Sequence, residues 1–201
     1  MGIILLHAGL FAVGWLELLR DVDVLVQFHV LNTVMGANKH TLVERFNFPT
    51  GSNLIEISTE SNPWDSTTFL ARHAARYGLN FWTVDVSPPL IEQAARLGCH
   101  AVCAHGQDFL INFGEPIVFA YLDNADLVKG GLELPQNRLS AAVHLLQARR
   151  LMQWMTDGVI VLDDTYAQHG KGMLAVPFLK ECGFAELERG TNYVLLARGY
   201  V

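Results

Sequence analysis

The chain reads as an α/β domain in which a mostly parallel sheet carries helices on both faces and ends in an antiparallel hairpin. Three observations predict it. From Asn53 onward, short β-rich runs alternate with helical patterns, the signature of a parallel sheet covered on its faces. The last two β-rich runs, Ala185–Glu188 and Tyr193–Ala197, are joined by a turn at Gly190, as a hairpin requires. The 201 residues are 51% hydrophobic and 17% charged, which suits one domain with a substantial core and excludes disorder.

Each element follows from its residues. The first strand is Asn53-Leu-Ile-Glu-Ile-Ser58, followed by a polar loop from Thr59 to Trp64. Asp65 and Ser66 are placed to cap a helix through about Arg76, their side-chain oxygens accepting from free first-turn amides. Phe81-Trp-Thr-Val-Asp-Val86 is the second strand. Pro88-Pro89 opens the next helix, where a missing amide hydrogen costs nothing, and that helix ends near Gly98. Ala101–Ala104 and Ile117–Leu122 are the third and fourth strands. From Arg138 to Met155 apolar residues recur at helical spacing: Leu139, Ala142, Val143, Leu146, Leu151 and Trp154. Gly158–Leu162 is a continuous apolar run of the kind buried on both faces. Met173–Cys182 is helical and stops at Gly183, a good residue for a helix end.

The bulk properties exclude some classes of function. A formal net charge of −6 gives no attraction to a nucleic-acid backbone. Three cysteines, Cys99, Cys103 and Cys182, form no disulfide framework and point to a reducing, cytoplasmic setting. Cys99, His100, Cys103 and His105 straddle a short strand at no zinc spacing. Residues 1–50 form a separate apolar, helical segment ahead of the domain at 51–201. Its stretch Gly2–Leu19 is apolar except for His7 and Glu17. Three readings of it stay open: a cap, a contact between copies in a homo-oligomer, or a membrane contact.

Acidic residues gather at the strand exits, where open parallel sheets bind their ligands. Glu56 lies in the first strand, Asp85 near the end of the second and Asp108 after the third. Asp123 ends the fourth strand and Asp163-Asp164 end the fifth. Carboxylates from the neighbouring fourth and fifth strands can converge on one hard cation such as Mg²⁺. Asp163 and Asp164 are consecutive, so both reach it only where the strand has already turned into loop.

The ordered set Ile55-Glu-Ile-Ser58, Thr83-Val-Asp85, Gly106-Gln-Asp108, Tyr121-Leu-Asp123 and Gly158-Val-Ile-Val-Leu-Asp-Asp164 resembles a class I S-adenosylmethionine-dependent methyltransferase. Within that class it is most similar to the small metal-dependent O-methyltransferases of the catechol and macrocin types. The resemblance covers about residues 50–200. It implies a Rossmann-like seven-stranded sheet with its last strand antiparallel, and a transferase acting on a small hydroxylated substrate. It assigns S-adenosylmethionine to Glu56, Ser58, Thr59, Ser66, Asp85, Gln107 and Asp108, with Asp85 accepting from the ribose hydroxyls. It assigns Mg²⁺ to Asp123, Asp163 and Asp164.

Two positions depart from that pattern. The loop Ser58-Thr-Glu-Ser-Asn-Pro-Trp64 contains no glycine, the residue that lets a backbone approach a cofactor closely. Asp126 stands where catechol-type enzymes carry a lysine base. Asp123, His169 and Lys171 are therefore the catalytic candidates, with His144 a further option. The rival reading is a non-catalytic interaction or structural protein on the same fold.

Overall fold

The computed structural model describes residues 39–58, 66–124, 134–165 and 170–200. The N-terminal stretch 1–38 lies outside the described residues, as do Thr59, Trp64, Asp65, Asp126 and His169. Seven strands form one sheet: β1 (Asn53–Ile57), β2 (Asn80–Asp85), β3 (His100–Cys103), β4 (Ile117–Leu122), β5 (Gly158–Asp163), β6 (Ala185–Arg189) and β7 (Tyr193–Arg198). Their order across the sheet is β3-β2-β1-β4-β5-β7-β6. The pairs among β1 to β5 are parallel, and β7 runs antiparallel to both β5 and β6. The expected parallel sheet with a terminal hairpin is what forms.

Period-2 alternation sorts the strand residues into two cores. Ile55, Ile57, Ala120, Leu122, Ile160, Leu162, Val194 and Leu196 face one side. Helices α3 (Gly106–Asn112), α4 (Pro135–Leu151) and α5 (Gly172–Glu181) supply Leu110, Ala148, Leu151, Ala175 and Leu179 to that side. Leu54, Phe119, Tyr121, Val159, Val161 and Leu195 face the other. There α1 (Ser66–Tyr77) brings Leu70 and Ala74, and a 3-10 helix, Lys39–Arg45, brings Leu42 and Val43. Helix α2 (Pro88–Ala95) opens on the expected proline pair, and α5 ends ahead of Gly183 at φ +91°.

Helix α4 differs from its expected pattern. Leu139 and Leu146 are 65% and 39% exposed, while Asn137, Ser140, His144 and Gln147 are buried. Of the expected core stripe, Leu139, Ala142 and Leu146 are exposed, whereas Leu151 is fully buried and Trp154 packs against the core; the polar residues fill buried positions in between. Helix α3 was not anticipated: it has seven residues and no side-chain cap. Among the described residues no helix is long and apolar enough to cross a membrane.

Candidate functional site

The chain runs from β1 outward to β3 and then returns to place β4 on the other side of β1. At such a reversal the loops leave in opposite directions and open a crevice at the carboxyl ends of the strands. A cleft of about 370 Å³ lies there, within the range of small-molecule sites. Ser58 from the β1 exit, Asp85 and Val86 from β2, Gln107 from α3, Asn124 after β4, and Leu139 and Gln147 from α4 are among its walls. A second cleft, also about 370 Å³, sits at the opposite edge beside Glu115, Pro116, Trp154 and Asp157. Volume does not separate the two; topology does.

Each wall is fixed by a local cause. Ser58 adopts φ +84°, the left-handed region that glycine enters most easily. This turn lets its amide donate to Val84 O at 2.9 Å and sets its hydroxyl 3.4 Å from Asp85 Oδ2. Asp85 Oδ1 accepts from the Ser87 amide at 2.7 Å, which orients the carboxylate at the start of α2. Gly106 lets α3 begin hard against β1, because a Cβ there would lie 2.4 Å from Ile57 Cγ2. The Asn124 amide nitrogen donates to Ser140 O at 3.1 Å. Its oxygen and the Gln147 side-chain oxygen are buried with no hydrogen-bond partner among the described residues. Buried acceptors of this kind call for a donor. Val86, 56% exposed, and Leu139 add apolar surface.

Beside the cleft, at the exits of β4 and β5, lies a charge cluster. Lys171, at the start of α5, is completely buried. Its ammonium donates to Asp123 Oδ1 at 2.8 Å, to Asn124 O, and to Asp164 Oδ2 at 2.9 Å. Its backbone amide donates to Asp164 O at 2.9 Å, which seats the start of α5 on the end of β5. Asp164 has left the strand, with φ +51°. Asp163 stays in the strand and so points to the other face, where it accepts from Tyr121 Oη and pairs with Lys39. Burial opposes the charge on Lys171, but Asp123 and Asp164 outweigh it and hold its pKa above the usual value. Burial and the nearby Asp163 push the Asp123 carboxyl up to about 7, against the pull of Lys171. His144 is forced down to about 3 by burial and by Lys171, so its ring is neutral at working pH.

No protein-family model matches the chain, and no curated protein matches its sequence. Solved structures do match its fold. A TehB-like S-adenosylmethionine-dependent methyltransferase from Corynebacterium glutamicum is 11% identical and superposes with a TM-score of 0.51, covering 90% of this chain and 98% of its own. The cyclopropane synthase MmaA2 from Mycobacterium tuberculosis is 13% identical with a TM-score of 0.53, covering 75% of this chain and 61% of its own. The fold is that of class I methyltransferases.

The expected site residues therefore divide. Ser58, Asp85 and Gln107 meet in the cleft. Asp108 is exposed on the first turn of α3. Glu56 is fully buried on the far face, where it accepts from Thr67 Oγ1 at 2.6 Å and Thr83 Oγ1 at 2.7 Å. Ser66 is buried at the head of α1 and does not line the cleft. An acceptor-rich cleft with apolar walls fits a nucleoside cofactor carrying hydroxyls and a positive charge. The carboxylates do not fit a metal. The Lys171 ammonium stands between Asp123 and Asp164, Asp163 faces away, and no metal-holding group of three forms among the described residues. Lys171, held protonated, is a cation and not a base. The sequence marks neither Asn124 nor Gln147 as a site residue; for Gln147 the available signal is the run of polar residues at i, i+3, i+7 and i+10 on α4, from Asn137 to Gln147, and Asn124 carries none.

Proposed function

We propose that the protein is an S-adenosylmethionine-dependent methyltransferase that methylates a hydroxyl oxygen of a small molecule. The observation that carries this reading is the acceptor-lined cleft at the β1/β4 reversal, with Asp85 at its edge and, in its wall, two amide oxygens that have no partner among the described residues. In this reading Asp85 accepts from the ribose hydroxyls, and Val86 and Leu139 hold the flat base between apolar surfaces. Asn124 Oδ1 and Gln147 Oε1 accept from the ligand's amino groups. When bound, the cofactor would supply an electrophilic methyl group, its C–S bond breaking as the acceptor's O–C bond formed, and the hydroxyl proton would pass to a base of this chain. Asp123 is the candidate for that base. It is 17% exposed, adjoins Asn124, and carries a carboxyl raised to about 7, which matches proton transfer near neutral pH. His169, between β5 and α5 in the sequence, is the alternative.

Calorimetry with S-adenosylmethionine and with its demethylated product tests the binding half. Asp85→Asn should weaken both ligands by about tenfold to a hundredfold, since a charged acceptor contributes about 1.5–3 kcal/mol. If the wild-type chain binds neither ligand, the proposal is wrong. A second reading, a non-catalytic protein on this fold, is favoured by the ion pair that ties up Asp123. Transfer of label from methyl-labelled cofactor to a panel of small phenols and alcohols separates the two, because the second reading allows binding without turnover.

A further inference from the structure

We infer that Lys171 is a built-in cation that takes the place of a divalent metal at the exits of β4 and β5, so that this chain works without one. The inference is independent of the cofactor reading. An ammonium has three hydrogens to donate and no lone pair. Here the three have three acceptors: Asp123 Oδ1 at 2.8 Å, Asp164 Oδ2 at 2.9 Å and the Asn124 carbonyl. Those are the oxygens that a hard cation would gather, since Mg²⁺ takes carboxylates and carbonyls at about 2.0–2.1 Å. A metal at that point and the ammonium cannot coexist.

The remaining carboxylate is also committed. Asp163 Oδ2 is bound by Tyr121 Oη and Lys39 Nζ, and Asp163 Oδ1 accepts from the Asp164 amide at 2.6 Å. The position of Lys171 is otherwise a poor one for a cation, because the start of a helix carries partial positive charge and the side chain is wholly buried. A lone lysine would avoid that place; between Asp123 and Asp164 it is held there.

Titrating Mn²⁺ into chelator-treated protein, followed by electron paramagnetic resonance, tests this. The wild-type chain should show no saturable binding up to millimolar Mn²⁺. Lys171→Met removes the charge and keeps most of the length, leaving Asp123, Asp164 and the Asn124 carbonyl uncompensated. It should bind one Mn²⁺ per chain at least about tenfold more tightly than wild type, and Asp123→Asn in that background should remove the gain. Saturable wild-type binding that Asp123→Asn abolishes would overturn the inference, as would a folded Lys171→Met chain with no gain. Where Lys171→Met does not fold, amine labelling of the wild-type protein read by mass spectrometry decides. Lys180, 50% exposed, should label at least about tenfold faster than Lys171, and Mn²⁺ should not change that ratio. Equal labelling of the two, or a Lys171 released by Mn²⁺, also overturns it.

Discussion

Ser58 makes a turn that glycine usually makes, and it does so with a left-handed backbone at φ +84°. That conformation costs an L-residue about 1–2 kcal/mol. Glycine would relieve it, at the expense of about 0.4–1 kcal/mol from a looser unfolded chain. The hydroxyl's 3.4 Å approach to Asp85 is at the far end of hydrogen-bonding range and adds little. Ser58→Gly should therefore raise unfolding stability, by up to about 1.5 kcal/mol. A urea midpoint that moves upward with an unchanged slope is the expected result; a lower midpoint would mean that the hydroxyl holds the turn. The same residue shows what a sequence discloses about a site. Asp85 and Ser58 were legible because a carboxylate or a hydroxyl at a strand exit carries chemistry in its own formula. Asn124 and Gln147 were not, because an amide matters only once burial has left its oxygen without a donor.

At the level of elements, the strands and the C-terminal end of α4 were legible, and the N-terminal part of α4 was read inside out. β5 is buried at every position, so its apolar run and its fold agree. On α4 Leu139 serves a cleft wall and Leu146 faces outward, while His144 and Gln147 turn inward. Periodicity assumes that the apolar face is the buried one, and a helix that flanks a polar site breaks that assumption. Asp163 and Asp164 illustrate a related gap. Alternation correctly warned that they diverge, but only packing could bring Lys171 from α5 to one and Lys39 to the other. The buried histidine has a measurable consequence. His144 has a pKa of about 3 in the folded chain against about 6.5 unfolded. Its neutral form is therefore favoured by folding: the contribution is complete above pH 6.5 and is lost as pH falls from there toward 3. His144→Gln removes that loss. The stability difference between wild type and variant, followed by chemical denaturation from pH 7 to pH 4, should shift steadily in the variant's favour. A difference that stays constant with pH would show that the ring is solvated.

For the molecule as a whole, two clefts of equal size at opposite edges of one sheet pose the sharpest choice. Helix packing cannot make them equivalent, because parallel strands are polar. Every parallel strand delivers its carboxyl end, and the loop that follows, to the same edge. That edge holds Asp85, the buried amide oxygens and the Lys171 cluster. The opposite edge, near Glu115 and Asp157, collects the loops that enter strands, including the tight Gly114 turn at φ +85°. A ligand that belongs to the reversal point should therefore protect one edge only. Hydrogen exchange with and without S-adenosylhomocysteine reads this amide by amide. Saturating ligand should slow local opening at Ser58, Asp85, Val86, Gln107 and Asn124, and leave Gly114, Glu115, Thr156 and Asp157 unchanged. Ligand at a hundred times its dissociation constant should also raise global stability by about 2.7 kcal/mol, which slows exchange at core amides of every strand alike. The local signature is the difference between the two edges after that common shift is subtracted. Protection concentrated around Glu115 and Asp157 would move the binding site to the amino edge and remove Asp85 from any role in holding the ligand.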